Sequence, residues 1–504
     1  MESLGASELV AWFQSQNGTL DSESMGIVTF RGQGRGAIAL KNIPEDHVLF
    51  SFPRDLTLST RTSTLPLLMG DAWKAHGLHE GWAGLILCMM WEESRSAESK
   101  WSGYLAALPQ TFDTPMFWPE EDLKELQGTA VVDKIGRGEA ERDYHEKLVP
   151  AIKSRLDLFP EQLIPQYFTP ERYHLNGSRI LSRSFHVEKW KREHGEEDDN
   201  DDDAAKEPGN DSAMDIDVPE ATESAPQPPP PEIDAEREEP DAEEVHVEGF
   251  DEDSDDEDRE DPADVAMVPI ADMLNARFES ENAKLFYEEH ELKMMSTRPI
   301  KIGEQIWNTY GDPPNSDLLR RYGHVDLVPL RPPLKGVGNP EDVVEVRADL
   351  VVKIASKRVK HNLQERVDWW LEEADDDVFV LRTGCQLPDE FVSFERLLLL
   401  PKDDKLPKPK ADKESIVIAI EALEMRMEEY ATSIEEDEQL LEPRSVNQLS
   451  VNKKNAVIVR LGEKRILRGA IEQLRLQLES FSKRTTKKRS REEEKDGKGK
   501  KAKI

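Results

Sequence analysis

The chain has 504 residues, a length that at roughly 150 residues per domain sets a prior of about three folding units and excludes a single small module. Hydrophobic residues make up 37% and charged residues 34%, against about 45–50% and 25% for ordinary globular domains, so part of the chain is predicted not to pack. The formal charge of -37 would repel nucleic acid if it were spread evenly, and no specific nucleic-acid partner is expected.

It is not spread evenly. Residues 193–262 carry 32 acidic side chains against three basic ones (Lys206, Arg237, Arg259), a balance of -29 that leaves -8 for everything else. Residues 483–504 reverse the sign, with eleven Lys/Arg against four acids. Cys88 and Cys385 are the only cysteines, too few for a disulfide framework or a Cys-rich zinc site. A reducing compartment and no bound metal are expected. The start M-E-S-L-G-A-S-E lacks the basic region and apolar run of a secretory leader, and no segment reaches the roughly 18 apolar residues of a membrane helix. A soluble, intracellular protein with no membrane partner is expected.

In chain order, Leu4, Leu9, Trp12 and Phe13 fall near helical spacing before Asn17-Gly18, which predicts a short amphipathic helix over 3–16. From Gly26 to Pro53 the texture shortens into I-V-T-F, R-G-Q-G-R-G, A-I-A-L and V-L-F-S-F-P, a run of short strands. Residues 60–175 return to helical periods, with Trp82 to Trp91 the most apolar stretch and Pro109, Pro115, Pro119, Pro150 and Pro160 as breaks. After R-I-L-S-R-S-F at 179–185 comes the acidic tract, which contains P-Q-P-P-P-P and is predicted to be disordered.

Ordered sequence resumes near Val265. Leu285–Tyr287 and Leu292–Met295 flank E-E-H-E as a hairpin, and Gln305–Tyr310 follows as a strand after the turn at Ile302-Gly303. From about Arg347 helical periods dominate. The clearest is Leu467, Ile471, Leu474, Leu478, Phe481, short for a coiled coil and better suited to packing on neighbouring helices. Lengthening a loop from ~10 to ~70 residues costs under ~2 kcal/mol at about 0.6 kcal/mol per doubling. The segments flanking the acidic tract can therefore share one domain.

Gly32, Gly34 and Gly36 suggest a dinucleotide cradle only superficially, because that motif opens a helix. Here the glycines lead into A-I-A-L, and alone they read as a tight turn between strands. Their companions change the reading. R-G-Q-G-R-G-A-I-A at 31–39, S-R-S-F at 182–185, V-P-I-A-D-M-L-N at 268–275, and W-N-T-Y-G with L-L-R-R-Y-G at 307–323 occur in the order typical of SET-domain methyltransferases. They resemble the branch that includes the Rubisco large-subunit lysine methyltransferase. W-S-G-Y-L-A-A-L-P at 101–109 and L-Q-G-T at 126–129 look like that branch's helical insertion. R-L-G-E-K-R-I-L at 460–467 looks like its C-terminal substrate-binding domain.

The resemblance implies an α+β fold: a β-rich SET domain with a helical insertion, followed by an all-α C-terminal domain. The expected boundaries are 1–59 and 179–330 for the two SET segments, 60–178 for the insertion, 193–262 for a disordered linker, 331–482 for the substrate-binding domain and 483–504 for a disordered basic tail. It also implies methyl transfer from S-adenosyl-L-methionine to a protein lysine. Tyr310 would be the catalytic tyrosine. Gly34, Arg35, Gly36, Arg183, Asp272, Asn275, Ala276, Tyr310 and Tyr322 would meet the cofactor, and Ser182, Arg183, Asp272 and Tyr310 the substrate lysine.

Without the resemblance, Tyr310 and Tyr322 read as core aromatics, Asp272 and Asn275 as turn or cap residues, and Arg183 as a surface cation. Trp307 and Phe185 are expected in the channel wall. Ala276 stands where many relatives have histidine, and His324 where many have an aromatic. The expected partner is a basic ribosomal protein and the expected state a monomer. The tail K-R-T-T-K-K-R-S-R resembles a nuclear localisation signal, so the nucleus is expected. Two alternatives stay open: an enzyme acting on a non-ribosomal nuclear protein, and a non-catalytic SET scaffold that binds a basic partner.

Overall fold

A computed structural model describes residues 5–30, 34–190, 261–374, 377–400 and 406–501. Of the tract 193–262, read above as a disordered linker, residues 193–260 lie outside the described residues, whereas Asp261 and Pro262 lie within them. Among the described residues no helix is long and apolar enough to cross a membrane.

The N-terminal amphipathic segment forms the helix Ala6–Ser15 and buries Leu9 and Phe13. The run of short strands becomes β1 (Thr19–Leu20), β2 (Met25–Phe30), β3 (Gly34–Ala39) and β4 (Val48–Pro53). Strands β5 (Ser184–His186) and β6 (Val265–Met267) pair antiparallel with each other, so the two ends of the acidic tract are held side by side. The expected hairpin is β7 (Ala283–Tyr287) and β8 (Glu291–Ser296), and β9 is Gln305–Ile306.

These strands build a four-stranded sheet in the order β1-β4-β8-β7 and a three-stranded sheet in the order β2-β3-β9. Along β8 the residues alternate, with Leu292, Met294 and Ser296 buried, the period-two pattern of a sheet with one face on a core. Met294 sits opposite Phe50, and Leu292 opposite Phe52. The strand predicted over 305–310 ends after Ile306. Beyond it, the Trp307 carbonyl and the Asn308 N–H are taken by different neighbours, so no single partner strand extends the ladder.

The insertion is helical throughout. Its helix Ala83–Ser94 buries every residue from Ala83 to Trp91, as a stretch apolar on all sides must, and Glu92 beyond them. The C-terminal part is mainly helical, but it also carries an antiparallel pair, Val343–Arg347 with Val378–Arg382. Phe379 and Leu381 alternate inward there, a five-residue signal too short to stand out against helical flanks. The last helix runs continuously from Val451 to Lys501, so of the tail 483–504, read above as disordered, residues 483–501 extend it, while 502–504 lie outside the described residues. Lys, Arg and Glu dominate that stretch, and their helix propensity is high.

The conspicuous sequence blocks of insertion and C-terminal part meet. At Gly128 φ is +81° and a Cβ would lie 2.8 Å from the Glu429 carbonyl oxygen, so only glycine fits. Its own carbonyl accepts from Arg426 Nη2 at 2.7 Å. From R-L-G-E-K, Arg460 Nη2 lies 2.8 Å from Asp437 Oδ1 and its Nη1 lies 2.8 Å from Glu125 Oε2. Lys464 Nζ lies 2.5 Å from Asp437 Oδ2, and Tyr430 donates to Glu463 Oε2 at 2.6 Å. Burial pushes the Glu463 carboxyl up to about 7, against the opposing pull of Arg426 and Tyr430.

Arg460, Lys464 and Asp437 are all buried, so removing the carboxylate takes the ion partner from Lys464 and leaves Arg460 with Glu125 alone. Asp437→Asn is expected to destabilise the fold by about 3–5 kcal/mol, read as a lower urea midpoint. An unchanged midpoint would show that the Asp437 cluster does not stabilise the C-terminal part.

Candidate active site

The helix Pro170–Arg183 starts with Thr169 Oγ1 accepting from Arg172 N at 3.3 Å and ends as the chain enters β5. That ending fixes Ser182 and Arg183. The Ser182 hydroxyl donates to the Ser178 carbonyl at 2.7 Å, so it is engaged within its own helix. Arg183 Nη1 donates to the Asp272 carbonyl at 2.6 Å and lies 3.6 Å from Asp272 Oδ2.

Asp272 reaches that position through a sharp redirection after β6. Ile270, fully buried, has φ of +69°, a left-handed conformation that is a genuine outlier for a β-branched residue. The turn Ala271–Met273 follows at once. Asp272 is buried, and its Oδ2 accepts from the Tyr104 hydroxyl at 3.0 Å. Its Oδ1 has no hydrogen-bond partner among the described residues. Burial raises its carboxyl to about 6, with Arg183 and Tyr104 pulling the other way.

The segment 305–310 threads through the chain around it. Asn308 N donates to the Asn275 carbonyl at 3.0 Å, and Ala276 bridges Asn308 in parallel register. On the other side, Asn282 N and Ala283 N donate to the Trp307 carbonyl at 3.1 and 3.0 Å. Through this crossing Tyr310 arrives beside Leu274, whose carbonyl accepts its hydroxyl at 3.4 Å. The Tyr310 ring stacks on Tyr322 at 4.3 Å and 9°. Burial raises the Tyr310 hydroxyl, with Arg183 opposing and Asp272 adding, so it stays protonated.

Gly36 forms the floor. A Cβ there would lie 2.6 Å from Asn275 Nδ2 and 2.9 Å from Gln305 Nε2. Both amide nitrogens, and Asn308 Oδ1, are buried without a hydrogen-bond partner among the described residues. Gly34 lies at the exposed start of β3, while Arg35 Nη1 donates to the Ala107 carbonyl at 3.1 Å and ties β3 to the insertion. Phe185 is buried in the SET core, with Trp307 half-buried nearby in sequence to the crossing. His324 lies 5.9 Å from Tyr322, and burial lowers its pKa, so its imidazole is neutral at pH 7.

The structure thus gathers Arg183, Asp272, Asn275, Ala276, Tyr310 and Tyr322 around one crossing and brings Gly36 to it. Sequence reasoning missed Tyr104, Gln305 and Asn308. Tyr104 stands within W-S-G-Y-L-A-A-L-P and Asn308 within W-N-T-Y-G, both recognised as blocks, but only the fold aims their side chains. Nothing in the sequence marked Gln305.

Comparison with known proteins agrees with this architecture. A family model described as Rubisco LSMT substrate-binding matches residues 359–467. The solved structure of Rubisco LSMT bound to AdoMet superposes with a TM-score of 0.59 at 18% identity, over 94% of this chain and 92% of that one. Ribosomal lysine N-methyltransferase 4 of Schizosaccharomyces pombe is 30% identical over 366 residues, 68% of this chain and 70% of its own length. Its Saccharomyces cerevisiae counterpart is 28% identical over 73% of this chain, which spans 60% of that relative's length. N-lysine methyltransferase SETD6 of Homo sapiens is 25% identical over 87% of this chain and 84% of its own. The chain belongs to the SET-domain protein-lysine N-methyltransferases of the Rubisco large-subunit methyltransferase branch.

Enzymes of this family use S-adenosyl-L-methionine, and the residues at Gly36 fit that group. Two unpartnered amide donors, Asn275 Nδ2 and Gln305 Nε2, face a backbone that lacks a side chain, which suits a ligand carrying a carboxylate. A methyl added at Gly36 must displace the Asn275 amide. Gly36→Ala is therefore expected to weaken S-adenosyl-L-methionine binding about tenfold or more in calorimetry, a loss of about 1.4 kcal/mol. Undiminished affinity would remove this floor from the cofactor site.

Proposed function

We propose that this chain methylates the ε-amine of a lysine on a protein, and that its substrate is a basic protein of the large ribosomal subunit met in the nucleus. The observation that carries the catalytic part is the crossing, where Asn308 is tied to Asn275, the Tyr310 hydroxyl meets the Leu274 carbonyl and the Asn275 amide faces Gly36. For the substrate, support comes from the two relatives named ribosomal lysine N-methyltransferase 4. The excess of acid in residues 193–262 also suits a basic partner, since opposite charge speeds encounter at low salt. The basic residues 483–504 support the nuclear location.

Bound S-adenosyl-L-methionine supplies an electrophilic methyl on a positively charged sulfonium. The chain's own residues must deliver a neutral amine to it. Lysine's ordinary pKa is about 10.4, so at pH 7 only about one amine in 2,500 carries its lone pair. Lowering that pKa by three units takes about 4 kcal/mol of selective destabilisation of the ammonium, which burial provides. Burying a lone carboxylate beside the amine would work against this.

Here Asp272 is accompanied by Arg183 at 3.6 Å, which offsets its charge. The pair then offers a hydrogen-bond acceptor without a strong field that would hold the lysine charged. Tyr310, protonated and braced by Tyr322, walls the amine's path and fixes its approach. Such a site acts mainly by positioning. Water is kept out by the buried residues Ile270, Leu274 and Ile306 around the crossing.

A second reading keeps the enzyme and changes the target. The alignment with SETD6 of Homo sapiens covers 87% of this chain, more than that with either ribosomal relative, and favours a non-ribosomal protein. Incubating the protein with labelled cofactor and an unmodified cell extract separates the two, the ribosomal reading requiring the label in a ribosomal band. Tyr310→Phe is expected to leave cofactor affinity unchanged and to cut turnover by about 100-fold, the scale of a misplaced reacting group. Wild-type turnover in that variant would remove Tyr310 from the mechanism.

A further inference from the structure

Tyr104 belongs to the insertion helix Ser102–Ala107 and is fully buried, yet its hydroxyl is directed to the reaction centre. It donates to Asp272 Oδ2 at 3.0 Å. Its ring stacks on Trp12 at 6.2 Å and 19°, and the Trp12 indole N–H is held by the Lys100 carbonyl at 3.0 Å. The phenol therefore has little freedom to turn away. Asp272 Oδ1 is left without a partner among the described residues.

We propose that Tyr104 is a positioning residue for methyl transfer: by occupying Oδ2 of Asp272, its hydroxyl fixes the carboxylate plane and leaves Oδ1 as the acceptor for the substrate amine. The inference rests on the methyltransferase reading above. A carboxylate has two equivalent oxygens and a soft terminal torsion, so a donor held on one oxygen is what makes the other directional. A hydrogen bond to the charged form also favours that form. The groups facing Asp272 are Tyr104 from the insertion, Arg183 from the end of the helix Pro170–Arg183, and Tyr310 from the threaded segment, with Arg179 behind Tyr104. Burial has already raised the carboxyl to about 6, so losing one stabilising donor moves its titration further into the working range.

The test is Tyr104→Phe, which keeps the ring and its packing on Trp12. The dependence of kcat/KM on pH reads two protons, one on Asp272 and one on the lysine amine. In the wild type the rise with pH is therefore steeper below about 6 than above it, the value to which Asp272 is raised. In Tyr104→Phe this break is expected to move up by about one pH unit, with a deficit of about tenfold below pH 5 that falls to about fivefold at pH 6 and shrinks further as pH rises. Affinity for S-adenosyl-L-methionine stays within about twofold by calorimetry. A loss equal at every pH would mark Tyr104 as merely structural, and an unchanged profile would overturn the proposal.

A second measurement does not depend on activity. A carboxyl raised in the folded state loses stability as pH climbs from its unfolded value through its folded one. The decline in the urea midpoint should therefore extend to higher pH in Tyr104→Phe than in the wild type, and the difference should vanish when both carry Asp272→Asn. Identical pH dependence in the two proteins would overturn the coupling. A wild type that methylates nothing, with the stability coupling intact, would sink only the methyltransferase reading.

Discussion

The site exists because residues 305–310 pass between two other stretches of backbone. On one flank the Asn308 N–H is spent on Asn275, on the other the Trp307 carbonyl is spent on Asn282 and Ala283. Buried backbone groups must find partners, and this path gives each of them one while forbidding an ordinary strand. The result places Tyr310 against Leu274 and the Asn275 amide against Gly36.

The strain at Ile270 fits the same constraint. A β-branched residue in the left-handed region costs of order 1–3 kcal/mol, and Ile270 adopts it while fully buried in the SET core. That conformation turns the chain so that Asp272 meets Arg183 and Tyr104 rather than continuing from β6. Arg183 takes the backbone carbonyl and Tyr104 one carboxylate oxygen. The buried charge is thus compensated on two sides, as a buried carboxylate must be.

Much of this was legible in the sequence, and the limits have physical causes. The hairpin at 283–296, the short strands before Pro53 and the helix after Trp82, apolar through Trp91, follow from periodicity, because each buries one face or most of itself. The blocks containing Gly36, Arg183, Asp272, Asn275 and Tyr310 were recognisable through resemblance. Tyr104 was not assigned, because its partner lies 168 positions away and a tyrosine in an apolar helix reads as core. Gln305 and Asn308 stayed silent because a single amide becomes informative only when burial leaves it unpaired. The pair Val343–Arg347 with Val378–Arg382 escaped because five residues of alternation cannot outweigh helical surroundings.

Tyr310 rests on Tyr322, and one residue further on the Gly323 carbonyl accepts from Asn455 Nδ2 at 3.4 Å, within the last helix. Trp118, Leu319, Ala456 and Val459 fill the space around that link. Tyr310 is thereby two contacts away from the region that matches a substrate-binding model. The last helix and the crossing therefore share one stiff girder, so whatever grips that helix also steadies the Tyr310 phenol.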